Sequence, residues 1–538
     1  MDLTDRHIGK NIEVFDSTLR DGAQGEGITF SVEDKLNIVK ALDYVGADYI
    51  EAGNPGSNPK DLEFFKEIDL GSLRHAKLVA FGSTRRKDIK AEDDENCLSL
   101  LSAETEAVAV FGKTWDMHVT DIIKTSLDEN LNMISDTVAF FKSRGKEVIF
   151  DAEHYFDGYK RNPEYAVKAL MAAAEAGADR LVLCETNGGC LPFEVAEITA
   201  ETCDIFKDSI IGIHCHNDSG CAVANTVAAV QAGAEHVQGT YLGYGERCGN
   251  ANLSTIIPNL QIKLGYNCVP EKNLERFTRT ARWISEVANQ PLYRGMPYVG
   301  GSAFSHKAGM HIDAVTKESS SFEHVAPGSV GNERRFLMSE VAGRGTVLKK
   351  IQKIAPVLTK DSAETSEICK RVKQLEYEGH SFEAAEASFE LLVKEVLGEK
   401  KKYFDLNYFK TTVDQPNGNN FSSSAIIKIT VGDRTEITAA EGDGPVHALD
   451  GALRRVLEAF YPELSGVHLT DYKVRVLEPQ KATGAKVRVL LESSDESGSW
   501  TTVGVSTDVI DASWIALVES VEYKLMKEEE KINQETGG

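Results

Sequence analysis

The sequence predicts an α/β chain: a closed (β/α)8 barrel (TIM barrel), a helical subdomain, and a C-terminal α+β domain made by duplication. Three observations carry this. Short β-branched runs alternate with helical patterns over the first 265 or so residues, a helical stretch follows, and two similar strand–strand–helix segments close the chain.

Eight runs make the first part: Ile12–Phe15, Asp48–Glu51, Lys77–Phe81, Ala107–Phe111, Glu147–Phe150, Arg180–Cys184, Ile210–Ile213 and His236–Thr240. Their starts lie 26 to 40 residues apart, and the intervals carry helical spacing, as in EDKLNIVKALDYV. Strands alternating with helices at this pitch read as βα units on a parallel sheet. Eight of them in about 250 residues suit a closed barrel better than an open sheet. Gly46-Ala47-Asp48, Gly177-Ala178-Asp179 and Gly233-Ala234-Glu235 each end a helix and open a strand. Glycine there supplies the left-handed cap that turns the chain back to the sheet.

After Gly265 come a long amphipathic run at Glu271–Asn289, a glycine-rich region around Gly300–Gly309, and helical patterns at Ser362–Tyr377 and Ser381–Leu397. The charge run Glu399–Lys402 reads as a solvated linker. From Tyr403 the chain is β-rich and repeats itself. AIIKITV and TEITAAE precede a helix opening at Gly442–Ala448, and KVRVLLES and TTVGVST precede one opening at Ser506–Ala512. The expected division is therefore 1–268, 269–402 and 403–538.

The 538 residues hold 59 Lys+Arg against 83 Asp+Glu, a formal net charge of −24. Hydrophobic residues make 42% and glycine adds 44 positions, an ordinary globular composition that excludes general disorder. The acidic excess argues against nucleic acid or an anionic membrane as partner. The first residues are mixed in charge, no apolar run reaches membrane-span length, and the nine cysteines form no C-x-x-C pair. A cytoplasmic chain without a disulfide framework is expected.

The strongest local signal is Ile213-His214-Cys215-His216-Asn217-Asp218 at the end of the seventh run. Side chains alternate along a strand, so His214 and His216 share a face. Alone, H-x-H serves equally well as two packed histidines. Position shifts the balance, because a barrel's chemistry sits at its strand C-termini. Those ends also carry Asp16, Arg20 and Asp21, then Glu51, then Asp151 and Glu153, then Glu185 and Thr186, then Glu246, Arg247 and Asn250. Carboxylates crowded around two imidazoles call for a cation, and an octahedral divalent ion fits a carboxylate, two histidines and an Asn amide oxygen. Arg20 presents a rigid fork to an anionic substrate beside Asp21. Gly243–Asn250 lacks the helix-opening context of a nucleotide loop and reads as a turn that bends Asn250 inward. Cys248 has no base assigned to it by spacing, and Trp115 and Met117 read as packing near strand four.

FDSTLRDGAQGEG, DAEHYFDGY, GIHCHNDSG and GYGERCGNANL together resemble the signatures of the DRE-TIM metallolyases. Within them they are similar to the acyl-transferring branch of isopropylmalate, homocitrate and citramalate synthases. NPGSNPKD, DAEHYFDGYKRNPEYA and ETNGGCLP most resemble its citramalate-forming members, and the C-terminal repeat is similar to the branch's regulatory dimerisation domain. The resemblance spans almost the whole chain.

It implies that Asp21, His214 and His216 bind a divalent metal (Mg, Mn or Zn), with Asn250 as a further ligand. Arg20 would hold the keto acid and Thr186 its carboxylate; Glu153 matches the active-site glutamate. His311 and Asp313, in Ala308–Asp313, match the histidine motif of the helical subdomain, which in relatives reaches over a neighbouring subunit, so a homodimer is implied. The implied reaction condenses acetyl-CoA, as co-substrate, with pyruvate in isoleucine biosynthesis, His311 assisted by Glu153 taking the methyl proton. Isoleucine is the implied feedback ligand of the C-terminal domain. The alternatives are the same chemistry on 2-oxoisovalerate or a larger acid, a lyase without acyl transfer, and an inactive amino-acid-binding regulator. Three positions depart from the pattern: Glu185 for an Asp, Asn54 for an aromatic and Phe322 for a tyrosine. Arg85, Arg86 and Lys87 are candidates for the coenzyme's phosphates.

Overall fold

The structure, a computed structural model, describes residues 9–337, 344–414, 422–477, 481, 484–495 and 498–536. Eight parallel strands close into a barrel: β1 Glu13–Asp16, β2 Tyr49–Gly53, β3 Lys77–Ser83, β4 Ala107–Lys113, β5 Glu147–Glu153, β6 Arg180–Glu185, β7 Ile210–Cys215 and β8 His236–Gly239. Closure pairs β1 with β8, Glu13 facing His236 and Asp16 facing Gly239. All eight expected strands are present. Phe15, Tyr49, Val79, Ala109, Ile149 and Val182 point inward and fill the barrel. The opposite faces of the strands bury against the helices, Ile50, Leu78, Val108 and Phe150 among them.

Local signals explain the elements. The helix Val32–Val45 starts with a reciprocal cap between Ser31 and Asp34. Gly46, Gly177 and Gly233 all take positive φ, at 104°, 97° and 128°, as the sequence requires. At Gly46 a Cβ would also lie 2.9 Å from Pro270 Cδ.

The described residues form two compact units: the chain to Ser305 with Ser319–Arg335, and His306–Glu318 with the chain from Phe336. The expected cut at 268 falls inside the first. The helix Phe277–Val287 buries Phe277, Ala281 and Ile284 in the barrel's own core, so it belongs with the barrel. The cut at 402 falls inside the second. There the helix Glu386–Val396 packs on the strand Gly498–Ser506 and the helix Val509–Thr536, and Ser388 Oγ accepts the Val503 N–H at 2.9 Å.

The duplicated part holds two antiparallel sheets in sequential order, Asp405–Asp414, Ser422–Val431, Arg434–Gly442 and then His468–Val476, Val487–Asp495, Gly498–Ser506. Each sheet is followed by a helix, Pro445–Leu457 and Val509–Thr536. Each repeat thus has three strands, one more than expected. Alternate residues Ala425, Ile427 and Ile429 of one sheet and Val489 and Leu491 of the other enter a shared core with Leu449, Leu453 and Leu517. Among the described residues no helix is long and apolar enough to cross a membrane.

Candidate active site

The barrel's C-terminal end holds a cavity of about 350 Å³ lined by Arg20, Asp21, Glu153, Thr186, His214 and His216. Six of the nine expected site residues therefore meet in one place. Asp21, His214 and His216 are all buried and bring ligand atoms within 4.8 Å of one another. His214 Nε2 lies 3.3 Å from Asp21 Oδ2, and the two imidazole centroids are 5.2 Å apart.

The charges of the three side chains depend on one another. Burial raises the Asp21 carboxyl, but Arg20 and His214 outweigh it and hold it well below the usual carboxylate range. Burial also lowers His214, but Asp21 overrides it and the net shift is upward. His216 goes the other way, down to about 4, through burial and its neighbour His214. The Asp21 carboxylate is held ionised and the His216 imidazole neutral, while Asp21 favours the proton on His214 that a divalent ion would displace. Two further observations fit. His216 Nδ1 and Asn250 Oδ1 are buried without a hydrogen-bond partner among the described residues, and unsatisfied buried acceptors need a ligand.

Asn250 arrives as expected. Its side-chain Nδ2 donates to the Tyr244 carbonyl at 3.0 Å, it forms an isolated bridge with His216, and only 2% of it is exposed. The turn needs glycine at Gly245, where φ is +157° and a Cβ would sit 2.1 Å from Asn250 Nδ2.

Arg20 is anchored on three sides. Nε donates to Glu51 Oε2 at 2.6 Å, Nη1 lies 3.3 Å from Asp21 Oδ2, and the guanidinium lies 3.7 Å over the Phe81 ring. Glu51 is itself fully buried and takes a second hydrogen bond from Ser17 Oγ. Phe81 stacks on Phe111, centroids 5.3 Å apart and 18° from parallel, and both rings line the cavity. Thr186 Oγ1 accepts the His154 N–H at 2.9 Å, which leaves its own proton for a ligand.

Sequence reasoning missed Lys113, whose ammonium pairs with Glu153, and Gln238, which hydrogen-bonds His214. Asp151 also lines the cavity; burial and the Glu51 charge push its carboxyl up to about 7. Alternation along β4 and β8 places Lys113 and Gln238 inward, but nothing in one strand's sequence names a partner on another.

His311 and Asp313 lie on the helix Gly309–Lys317 of the second unit, where Ile312 and Val315 are buried and Asp313 pairs with Lys317 at 2.7 Å. The Arg85–Lys87 cluster is tied into the chain to different degrees. Arg85 is buried against Glu129 and Asp136, Arg86 pairs with Asp94 and Glu95, and Lys87 donates to the Lys124 carbonyl. Arg85 is buried in its ion pairs, whereas Arg86 remains more than half exposed. Of the departures, Glu185 accepts the Gly189 and Cys190 N–H groups, and Asn54 those of Gly56 and Ser57, so both hold turns. Phe322 is 46% exposed. Cys248 is an exposed loop thiol.

A closed barrel whose strand C-termini gather two imidazoles, a carboxylate and a forked cation is a barrel enzyme built around a divalent cation site. Comparison with known proteins agrees. Residues 11–284 match the HMGL-like family model, 298–380 the homocitrate synthase post-HMGL domain-like model, and 383–525 the LeuA allosteric (dimerisation) domain. The chain is 50% identical over 525 residues to an (R)-citramalate synthase of Aquifex aeolicus, covering 97% of this chain and 99% of that one. It is 48% identical to the (R)-citramalate synthase of a Synechocystis strain, covering 95% and 96%. A probable 2-isopropylmalate synthase of Methanopyrus kandleri is more distant, at 32% over 95% and 97%. The chain belongs to the HMGL-like family and, within it, to the (R)-citramalate synthases.

Proposed function

We propose that this enzyme condenses acetyl-CoA with pyruvate and water to give citramalate and free coenzyme A, in the cytoplasm, on the route to isoleucine. The observation that carries the choice of acid is the near-full-length likeness to (R)-citramalate synthases, against a more distant likeness to isopropylmalate synthases.

Asp21, His214, His216 and the Asn250 amide oxygen would hold the divalent cation, Mg, Mn or Zn. When bound, it supplies Lewis acidity at the 2-oxo group of pyruvate. Arg20 uses its remaining donors on the keto acid, and the Thr186 hydroxyl donates to its carboxylate. His311 is the proposed base, with Glu153 assisting; it takes a proton from the acetyl methyl group. His311 would come from a partner copy in a homodimer, with Asp313 beside it on the substrate. The enolate carbon then bonds to the ketone carbon, and Arg20 stabilises the charge that develops on the oxygen. Water cleaves the thioester and coenzyme A leaves as the thiol. In this reading residues 1–268 carry the chemistry, 269–402 the lid, and 403–538 the isoleucine-sensitive regulation and dimerisation.

The test is thiol release from acetyl-CoA with pyruvate, 2-oxoisovalerate or 2-oxoglutarate, with and without divalent metal and isoleucine. Pyruvate is expected to turn over fastest, with chelator abolishing the rate and isoleucine slowing it. A preference for 2-oxoisovalerate, or inhibition by leucine alone, overturns the reading.

The stacked Phe81 and Phe111 rings bound the side of a cavity of only about 350 Å³. Phe111→Ala is expected to raise kcat/KM for 2-oxoisovalerate relative to pyruvate by roughly 10- to 200-fold, the range set by small differences in apolar volume. Competition between the two acids in one assay measures the ratio; an unchanged ratio removes Phe111 from the acceptor pocket.

A further inference from the structure

Gln238 is fully buried behind His214 and Asp151, and nothing in the proposed reaction uses it. Parallel pairing of β7 with β8 puts His214 directly opposite Gln238, so both side chains leave the sheet on the same side. His214 Nδ1 lies 2.9 Å from Gln238 Oε1, and Gln238 Nε2 donates to Asp151 Oδ1 at 3.0 Å. Three strands are joined in one line, from Asp151 on β5 through β8 to β7.

The amide gives this line a direction. Gln238 Nε2 donates to Asp151 Oδ1, which turns the amide oxygen toward His214. An oxygen acceptor then keeps a proton on His214 Nδ1. Nε2, the nitrogen 3.3 Å from Asp21 Oδ2, is the one left to ligate once a cation displaces its proton. A ligating histidine whose other nitrogen is held by a hydrogen bond is fixed in both tautomer and ring orientation. A neutral amide does this without adding charge to a barrel mouth that already buries Asp16, Asp21, Glu51 and Asp151.

We propose that Gln238 is a positioning residue: anchored by Asp151, it holds His214 in the Nδ1–H form with Nε2 turned to the cation. The inference rests on Asp21, His214 and His216 forming the cation site, and it is independent of which 2-oxo acid is used.

The experiment titrates the full-length chain with Mn2+, reading the dissociation constant from free Mn2+ by electron paramagnetic resonance. A second readout is the tautomer of His214 in the metal-free chain, from histidine-labelled NMR with His214→Ala identifying the signal. Gln238→Leu, which removes both hydrogen bonds, is expected to weaken Mn2+ roughly 10- to 100-fold and to mix the two tautomers. A folded Gln238→Leu chain with unchanged Mn2+ affinity overturns the proposal. So does a neutral wild-type His214 that carries its proton on Nε2 alone, read above the pH at which the ring loses its second proton; this readout stands even if Gln238→Leu fails to fold. Wild-type chain that binds no Mn2+ defeats it as well. Wild-type chain that binds Mn2+ with Nδ1-protonated His214, yet releases no thiol with pyruvate, defeats the functional reading and supports this one.

Discussion

Replacing His214 with alanine is expected to lower thiol release at least ~1000-fold, a loss of several kcal/mol of transition-state stabilisation. The fold should survive. Asp21 keeps its ion pair with Arg20, and Gln238 keeps its bond to Asp151, so no buried charge loses its counter-charge. The cost to stability is one unsatisfied amide oxygen, about 1–3 kcal/mol, offset by the room left for water. A thermal melt and a thiol assay on the same preparation separate the two effects. Near-normal turnover in the His214→Ala chain would remove the cation from the chemistry altogether.

Arg20→Met combines a loss of stability with a loss of activity. Glu51 is fully buried, and Arg20 Nε at 2.6 Å is the cation beside it. Removing one partner of a buried pair costs about 3–5 kcal/mol, because the other is left charged in a medium that does not solvate it. Activity is expected to fall too, since the fork proposed to meet the keto acid is gone. The double change Arg20→Met with Glu51→Gln separates the roles: it should recover most of the stability and none of the turnover. Arg20→Lys keeps the charge without the planar fork, so it should melt closer to wild type than Arg20→Met while turning over poorly. Denaturant unfolding beside the thiol assay measures both. A stable, inactive Arg20→Met would show that Glu51 is solvated or protonated and that Arg20 serves substrate alone.

The barrel was legible because its two signals are local. β-branched runs mark strands, and Gly46, Gly177 and Gly233 mark the turns back to the sheet. His214 and His216 were legible for the same reason, since two residues of one strand share a face by counting. What stayed hidden needed partners distant in the chain. The ion pairs of Arg85 with Glu129 and Asp136 join residues more than forty positions apart, so the sequence shows the charges without their partners. Gln238 is an ordinary polar residue until β7 lies beside it. The strands Asp405–Asp414 and His468–Val476 were missed because both are largely solvated, with Tyr408, Val413, Val474 and Val476 exposed among polar neighbours, so no buried face shows in their pattern. The helix Phe277–Val287 packs on the barrel after the barrel's own repeat has ended, so no repeat in the sequence marks it as part of that core.

The pairing that closes the barrel, Glu13 with His236, joins residues more than two hundred positions apart, and this sets the order in which a growing chain can become safe. Until the last strand has left the ribosome, the first and seventh strands are open edges able to pair with another chain. Closing so long a loop is slow compared with forming the hairpins of the C-terminal repeats. The newly made barrel therefore passes through a stage in which it is fully synthesised in part and unprotected in whole. Refolding yield should be limited there, in the barrel, well before the duplicated sheets that are made last.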